Sequence, residues 1–158
     1  MVVNYTGLSD SYLSVTKALQ HASYSVGKKL IIDWIESVNL EENMKSSDLS
    51  AYDNSWRLLK QADGVLVPGG FGGRGIEGKI NAAKYAREND IPYLGVCLGL
   101  QVATIEFCRN VLGIDNANSA EFDDDDENHV VVFMPEISKT HMGGTMRLGS
   151  KPTPFLVD

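Results

Sequence analysis

Cysteine and histidine are both scarce. Cys97 and Cys108 are the only thiols, and His21, His129 and His141 the only imidazoles, among 158 residues. Two cysteines on one strand–helix stretch cannot build a disulfide framework, which points to a reducing, cytoplasmic setting. No Cys/His cluster has the spacing of a zinc site, so no metal is expected. Basic residues are outnumbered, 14 Lys plus Arg against 21 Asp plus Glu, and the formal net charge of −7 argues against a nucleic-acid partner. No apolar run is long enough to span a bilayer and no signal peptide is visible, so no membrane partner is expected. Internal repeats are absent. What remains is an ordinary apolar content of 43%, which suits one domain over residues 1–158 with a sizeable core.

The most informative stretch runs from Ile91 to Gln101. Ile91 to Val96 is short and mostly apolar, as a buried parallel strand should be. From Leu98 the period becomes helical through Leu98, Val102, Ile105 and Arg109, with Phe107 adding apolar surface. Cys97 stands at the joint, with Gly95 and Gly99 two residues to either side. This is the nucleophile-elbow pattern G-x-S-x-G with Cys replacing Ser. A nucleophile held in a sparsely populated backbone conformation needs small neighbours, and the free N–H groups at the start of the following helix then face the sulfur. A buried strand cysteine is the plain alternative; the strand and helix visible on either side favour the nucleophile.

Elsewhere strands and helices alternate. Met1 to Tyr5 is a short strand candidate. Ser9 or Asp10 is expected to cap a helix to about Ala22, with Leu13, Val15, Ala18, Leu19 and Ala22 inward. Lys29 to Ile35 reads as a second strand and Asn39 to Leu49 as loop. Tyr52, Trp56, Leu59 and Ala62 mark a helix with Trp56 as a core anchor. Gly64 to Pro68 is a third strand, and a helix with Ile80, Ala83, Tyr85 and Ala86 inward follows from Glu77 to Asn89. Asn116 to Ser119 reads as loop, Glu121 to Glu127 as an acidic run, and His129 to Met134 as a strand, antiparallel and near an edge. The alternation predicts an α/β fold around a doubly wound, mostly parallel sheet, with ligands at the carboxyl ends of its strands.

Between the third strand and its helix lies Pro68-Gly69-Gly70-Phe71-Gly72-Gly73-Arg74-Gly75. Such glycine density suits neither strand nor helix interior. One reading is a phosphate cradle, but no P-loop lysine–serine pair follows. The other is an oxyanion hole, in which backbone N–H groups meet a developing negative charge. A nucleophilic cysteine on the neighbouring strand favours the second.

P-G-G-F-G-G-R-G at 68–75 and G-V-C-L-G-L-Q at 95–101, with S-D-S-Y-L-S-V at 9–15, N-A-N-S-A-E-F at 116–122 and M-G-G-T-M-R-L-G at 142–149, resemble the glutaminase domain of the CTP synthase family and, more broadly, the triad-type class I glutamine amidotransferases. The resemblance implies Cys97 as the nucleophile that forms a glutamyl thioester. It implies an oxyanion hole from Gly69, Gly70, Phe71 and Leu98, and a glutamine pocket that includes Gly70, Leu98, Gly99, Leu100, Gln101 and Glu121. Without it, Glu121 reads as the start of a solvated acidic run. It further implies L-glutamine as substrate and no cofactor in this domain. A synthetase domain of the same polypeptide would use ATP and magnesium to aminate UTP to CTP, with GTP as activator against the glycine-rich loops and a homo-oligomeric, tetrameric parent.

A thiol nucleophile also needs a base, usually His oriented by a carboxylate. The resemblance places it in a His-Pro-Glu segment after 142–149. None of His21, His129 and His141 is followed by Pro-Glu, so the chain is expected to hold only part of the domain and to be inactive alone. Another cysteine-triad amidotransferase or hydrolase, and a non-catalytic glutamine-binding or docking domain, stand as alternatives.

Overall fold

The computed structural model describes residues 1–6, 9–122 and 128–133. The acidic residues 123–127, His141 and the glycine-rich segment 142–149 lie outside the described residues. The order is β1 (Val2–Val3), a 3₁₀ turn (Ser9–Tyr12), α1 (Leu13–Ser25), β2 (Ile35–Glu36), a second 3₁₀ turn (Ser37–Leu40), α2 (Met44–Ser47), α3 (Leu49–Gln61), β3 (Val65–Val67), α4 (Ile76–Glu88), β4 (Tyr93–Gly95), α5 (Leu98–Asn110), β5 (Asn118–Ser119) and β6 (His129–Val131). Every strand pair is parallel: β1 with β2, β3 with β4, β5 with β6. β1 also lies beside β3, so the strands follow the order β2, β1, β3, β4. The chain steps outward from β1 to β2 and then in the other direction from β3 to β4. That reversal between β1 and β3 is the topological switch point of an α/β sheet, where the carboxyl ends open a crevice.

The core gathers Val2, Ile35, Leu59, Val65, Val67, Ile80, Val102 and Ile105. β3 is fully buried, as its uninterrupted Val-Leu-Val run requires. α3 begins where Asp48 accepts the N–H of Ala51 at 3.0 Å, a side-chain N-cap that satisfies one free donor of the first turn. Tyr52 and Leu59 are its buried face. Trp56 is half-buried against the core, its ring 6.0 Å from Tyr52 and 6.2 Å from Tyr85, which bears out its reading as an anchor.

Several expectations are corrected. The strand expected to be buried at 91–96 is open, with Leu94 55% and Val96 44% exposed. The first helix starts at Leu13, because Ser9 and Asp10 belong to a preceding 3₁₀ turn, and its N-cap Tyr12 makes no side-chain cap bond. None of its residues is buried and Leu13 is 53% exposed, so the expected inward face has little to pack on. The second strand shrinks to Ile35–Glu36, because β1 offers only Met1 to Val3 as a pairing edge, with Ile35 N–H donating to the Met1 carbonyl at 2.9 Å. The loop expected at 39–49 contains α2 and the start of α3. Asn118–Ser119 is a strand rather than loop, and its pairing with His129–Val131 is parallel, not antiparallel.

Candidate active site

β3 and β4 end side by side, and both chains turn at that rim. Cys97 follows β4 with φ 54° and ψ −110°, a conformation that costs a non-glycine residue about 1–3 kcal/mol and persists only where the surroundings over-determine it. They do so through the two glycines. A Cβ on Gly99 would overlap the carbonyl of Val67, and one on Gly95 would overlap the carbonyl of Gly99. The Val67 oxygen in turn accepts the N–H of Val96 at 3.0 Å. The end of β3, the end of β4 and the first turn of α5 are therefore stacked backbone on backbone, which only glycine at both positions permits. Tyr93 adds a side-chain lock: its hydroxyl donates to the Gly99 carbonyl at 2.7 Å, and burial, reinforced by the Glu106 charge, pushes its ionisation well above the usual tyrosine range.

The result is a cysteine presented outward at a helix N-terminus. Cys97 is exposed, whereas Cys108 is buried on α5. The Cys97 carbonyl accepts the N–H groups of Leu100 and Gln101 at 3.0 and 3.1 Å. Gly69 lies against Cys97, a Cβ there falling 3.4 Å from Cys97 Cβ and 3.8 Å from Sγ. Gly70 adjoins Leu98, whose Cδ2 is 3.5 Å from the same hypothetical position. Among the described residues neither the Gly70 N–H nor the Leu98 N–H has a hydrogen-bond partner. Two free backbone donors thus lie at the rim that presents Cys97.

Of the residues expected from sequence, Gly69, Gly70, Cys97, Leu98 and Gly99 come together at this rim, and Gln101 follows one turn into α5, half-buried. Leu98 and Gly99 are buried, so they offer backbone rather than side chain. Leu100 is exposed, as is Phe71, whose ring is 88% open to solvent. Glu121 is exposed after β5, its N–H donating to Ser119 Oγ at 3.2 Å. Its segment is fastened by Arg109, which donates to the Ala117 carbonyl at 2.7 Å and pairs with Glu77 at 2.9 Å.

Lys79 and its partner Asn4 were not anticipated. Lys79 is only 2% exposed and donates to Asn4 Oδ1 and, at 3.4 Å, to the Arg74 carbonyl. Burial pulls its ammonium down to about 8, opposed in part by Glu41. The signal was there: Lys79 interrupts the inward stripe of Ile76, Ile80 and Ala83. Arg74 lies over the Tyr5 ring at 4.2 Å. No cluster of metal-ligating side chains occurs among the described residues, and none of their helices is long and apolar enough to cross a membrane. A groove of about 580 Å³ opens at the amino ends of β3 and β4, lined in part by Leu19, Ile31, Gly64 and Pro92; it is remote from Cys97.

A parallel α/β sheet with a cysteine elbow at its switch-point rim and a glycine loop beside it is the architecture of a cysteine-dependent amidohydrolase. The class-I glutamine amidotransferase profile matches residues 7–158, and the chain belongs to that family. It is 59% identical to a CTP synthase of Dictyostelium discoideum over 156 residues, which is 98% of this chain and 27% of that protein. It is 57% identical to a CTP synthase of Schizosaccharomyces pombe, over 98% of this chain and 26% of that protein. The chain thus spans about a quarter of the length of these relatives. Among solved structures, the glutaminase domain of Trypanosoma brucei CTPS with bound acivicin superposes with a TM-score of 0.77 at 39% identity, covering 88% of this chain and 51% of that one.

Proposed function

We propose that this chain is the glutamine-hydrolysing domain of a CTP synthase, with Cys97 as its nucleophile. The observation that carries the reading is the pair of free N–H groups, of Gly70 and Leu98, beside an exposed cysteine at positive φ. The Cys97 thiolate adds to the carboxamide carbon of L-glutamine. The oxygen takes the displaced electron pair and is met by the donors of the Gly69–Phe71 loop and Leu98. Collapse expels ammonia with a proton and leaves a glutamyl thioester, which water then cleaves to glutamate. Gln101 and Glu121 bind the α-amino and side-chain groups of glutamine, with the backbone of Gly70, Leu98, Gly99 and Leu100 forming the rest of the pocket. The acivicin carried by the Trypanosoma brucei relative, a glutamine analogue, supports this substrate.

The thiolate needs a general base, usually a histidine oriented by a carboxylate. His21 is exposed on α1, and His129 is on β6 with its Nε2 buried and unpartnered. The ammonia passes to a synthetase domain of the same polypeptide, which uses ATP and magnesium to aminate UTP; GTP activates, the parent is a homo-oligomer, and the setting is cytoplasmic. The test is Cys97→Ala in the complete polypeptide. Glutamine hydrolysis and glutamine-driven amination should vanish, while amination driven by added ammonia continues, because the nucleophile serves only to release ammonia. Retained glutamine hydrolysis would overturn the reading.

A further inference from the structure

Among the described residues nothing holds the middle of the glycine loop. Phe71 is 88% exposed, and a Cβ on Gly72 or Gly73 would meet no atom within 4 Å. Yet the loop carries a donor that must stay near the sulfur of Cys97, so its place depends on its two ends. Both ends lead to one buried ammonium. At the near end, Gly70 packs on Asn4, whose Nδ2 is 3.4 Å from where a Gly70 Cβ would be. Asn4 Oδ1 accepts from Lys79 Nζ, which fixes the amide so that its Nδ2 side faces the loop. At the far end, the Arg74 carbonyl accepts from the same Nζ at 3.4 Å. Lys79 itself cannot drift, because it is 2% exposed in the buried stripe of α4, between Gly78 and Ile80.

We infer that Lys79, acting through Asn4 and the Arg74 carbonyl, is a positioning residue that sets the oxyanion-binding glycine loop against Cys97. A charged side chain in an apolar helix face is costly unless its hydrogen bonds compensate. Here two of them fall on the two ends of a loop whose middle lacks packing among the described residues. A methionine of similar length would fill the space, leave Asn4 free to turn and remove one hold on the Arg74 end, whose guanidinium Tyr5 and Glu36 also hold.

This inference rests on the glutaminase reading, and the experiment separates the two. Lys79→Met, Asn4→Ala, their combination and Cys97→Ser are made in the complete polypeptide. Glutamine-hydrolysis kcat and KM are measured together with the rate at which iodoacetamide alkylates Cys97. Alkylation is a displacement at carbon that develops no oxyanion, so it reports the elbow and not the loop. Lys79→Met should lower kcat on the order of tenfold to a hundredfold, as misplacing a donor does, with KM changed by less than about threefold. Alkylation should stay within about twofold, because thiolate fraction and access at the elbow are unchanged. Asn4→Ala should act in the same direction, and the double variant should be no worse than the worse single, since both break one link. A Lys79→Met kcat within about twofold of wild type, beside an inactive Cys97→Ser, would overturn the positioning role and leave the nucleophile standing. So would a parallel fall of kcat and alkylation, which would mark general damage. Should Lys79→Met not fold, the half-buried Asn4 decides: an unchanged kcat in Asn4→Ala overturns the inference. Hydrolysis surviving in Cys97→Ser would instead remove the glutaminase reading beneath it.

Discussion

At the residue scale the site is made by close backbone approach, and single methyl groups test it. Gly99→Ala would drive a Cβ into the Val67 carbonyl, backbone that cannot swing aside, whereas Gly73→Ala meets nothing within 4 Å and carries no positive φ. Urea unfolding should show Gly99→Ala destabilised by about 2 kcal/mol or more and Gly73→Ala by less than about 1; equal small losses would mean that the elbow is not closely stacked. The G-x-C-x-G spacing was legible from sequence because it records this steric demand one residue at a time. Lys79 was not, because the helical pattern at Ile76, Ile80 and Ala83 says which face is inward but not that a lysine on that face keeps its charge. Its titration offers a second test. With a folded-state pKa of about 8 against 10.5 unfolded, both states hold the proton below pH 8. Above it the unfolded chain binds more protons, so stability should rise with pH from about 8 to 10. Tyr93 reverses the trend above pH 10, since it stays protonated in the fold after the unfolded chain has ionised. The melting temperature of wild type relative to Lys79→Met should therefore climb between pH 8 and 10, and a flat difference would mean that the ammonium is not desolvated. The two thiols separate as well: an electrophilic glutamine analogue should label exposed Cys97 and spare buried Cys108. Equal labelling, read by peptide mapping, would mean that the wrong nucleophile has been named.

At the scale of elements, α4 and α5 carry the rim, and an ion pair joins them beside their shared apolar core. Glu106, 2% exposed on α5, accepts two hydrogen bonds from Arg87 Nε at 3.1 and 3.0 Å and one from Nη2 at 2.8 Å. Its charge also faces the buried Tyr93 hydroxyl that holds the first turn of α5. Arg87→Met would leave that carboxylate buried without its fork. It should cost about 1–3 kcal/mol, more than Lys45→Met, which breaks an exposed and solvent-screened pair with Glu42. A smaller loss in Arg87→Met than in Lys45→Met would mean that Glu106 is paired otherwise. Helices α3, α4 and α5 were readable to within three residues, because their periodicity and their buried stripes agree; the N-cap Asp48 was not, since its stretch reads as loop. The strands were readable only in part. Lys29 to Trp34 has strand composition, but composition does not supply a neighbour, and the two-residue β1 gives none beyond Ile35 and Glu36. The direction of β6 likewise depends on Asn118 and Ser119, a partner that loop-like sequence concealed.

At the scale of the whole molecule, the catalytic rim and the helix that precedes it have unequal support. α4 buries seven of its residues, Ile76 to Ala86, and α5 buries six, Leu98 to Cys108, so the elbow and the loop behind it stand on well-packed helices. α1 buries none, exposes Leu13 and Tyr24, and meets the following extended segment through the contact of Tyr12 with Trp34 at 5.7 Å. Local opening follows such differences, since a helix with few buried apolar contacts unfolds well before the global transition. The proposed oxyanion site, with two N–H groups held within hydrogen-bond reach of a developing charge, would need the first kind of support and gain nothing from the second. Amide hydrogen exchange should accordingly show α1 exchanging at least about tenfold faster than α4 and α5, with the amides of Val102 and Ile105 among the slowest. Equal protection of α1 would mean that its outward face is covered by something the described residues do not supply, and that the ranking of local stability argued from burial is wrong.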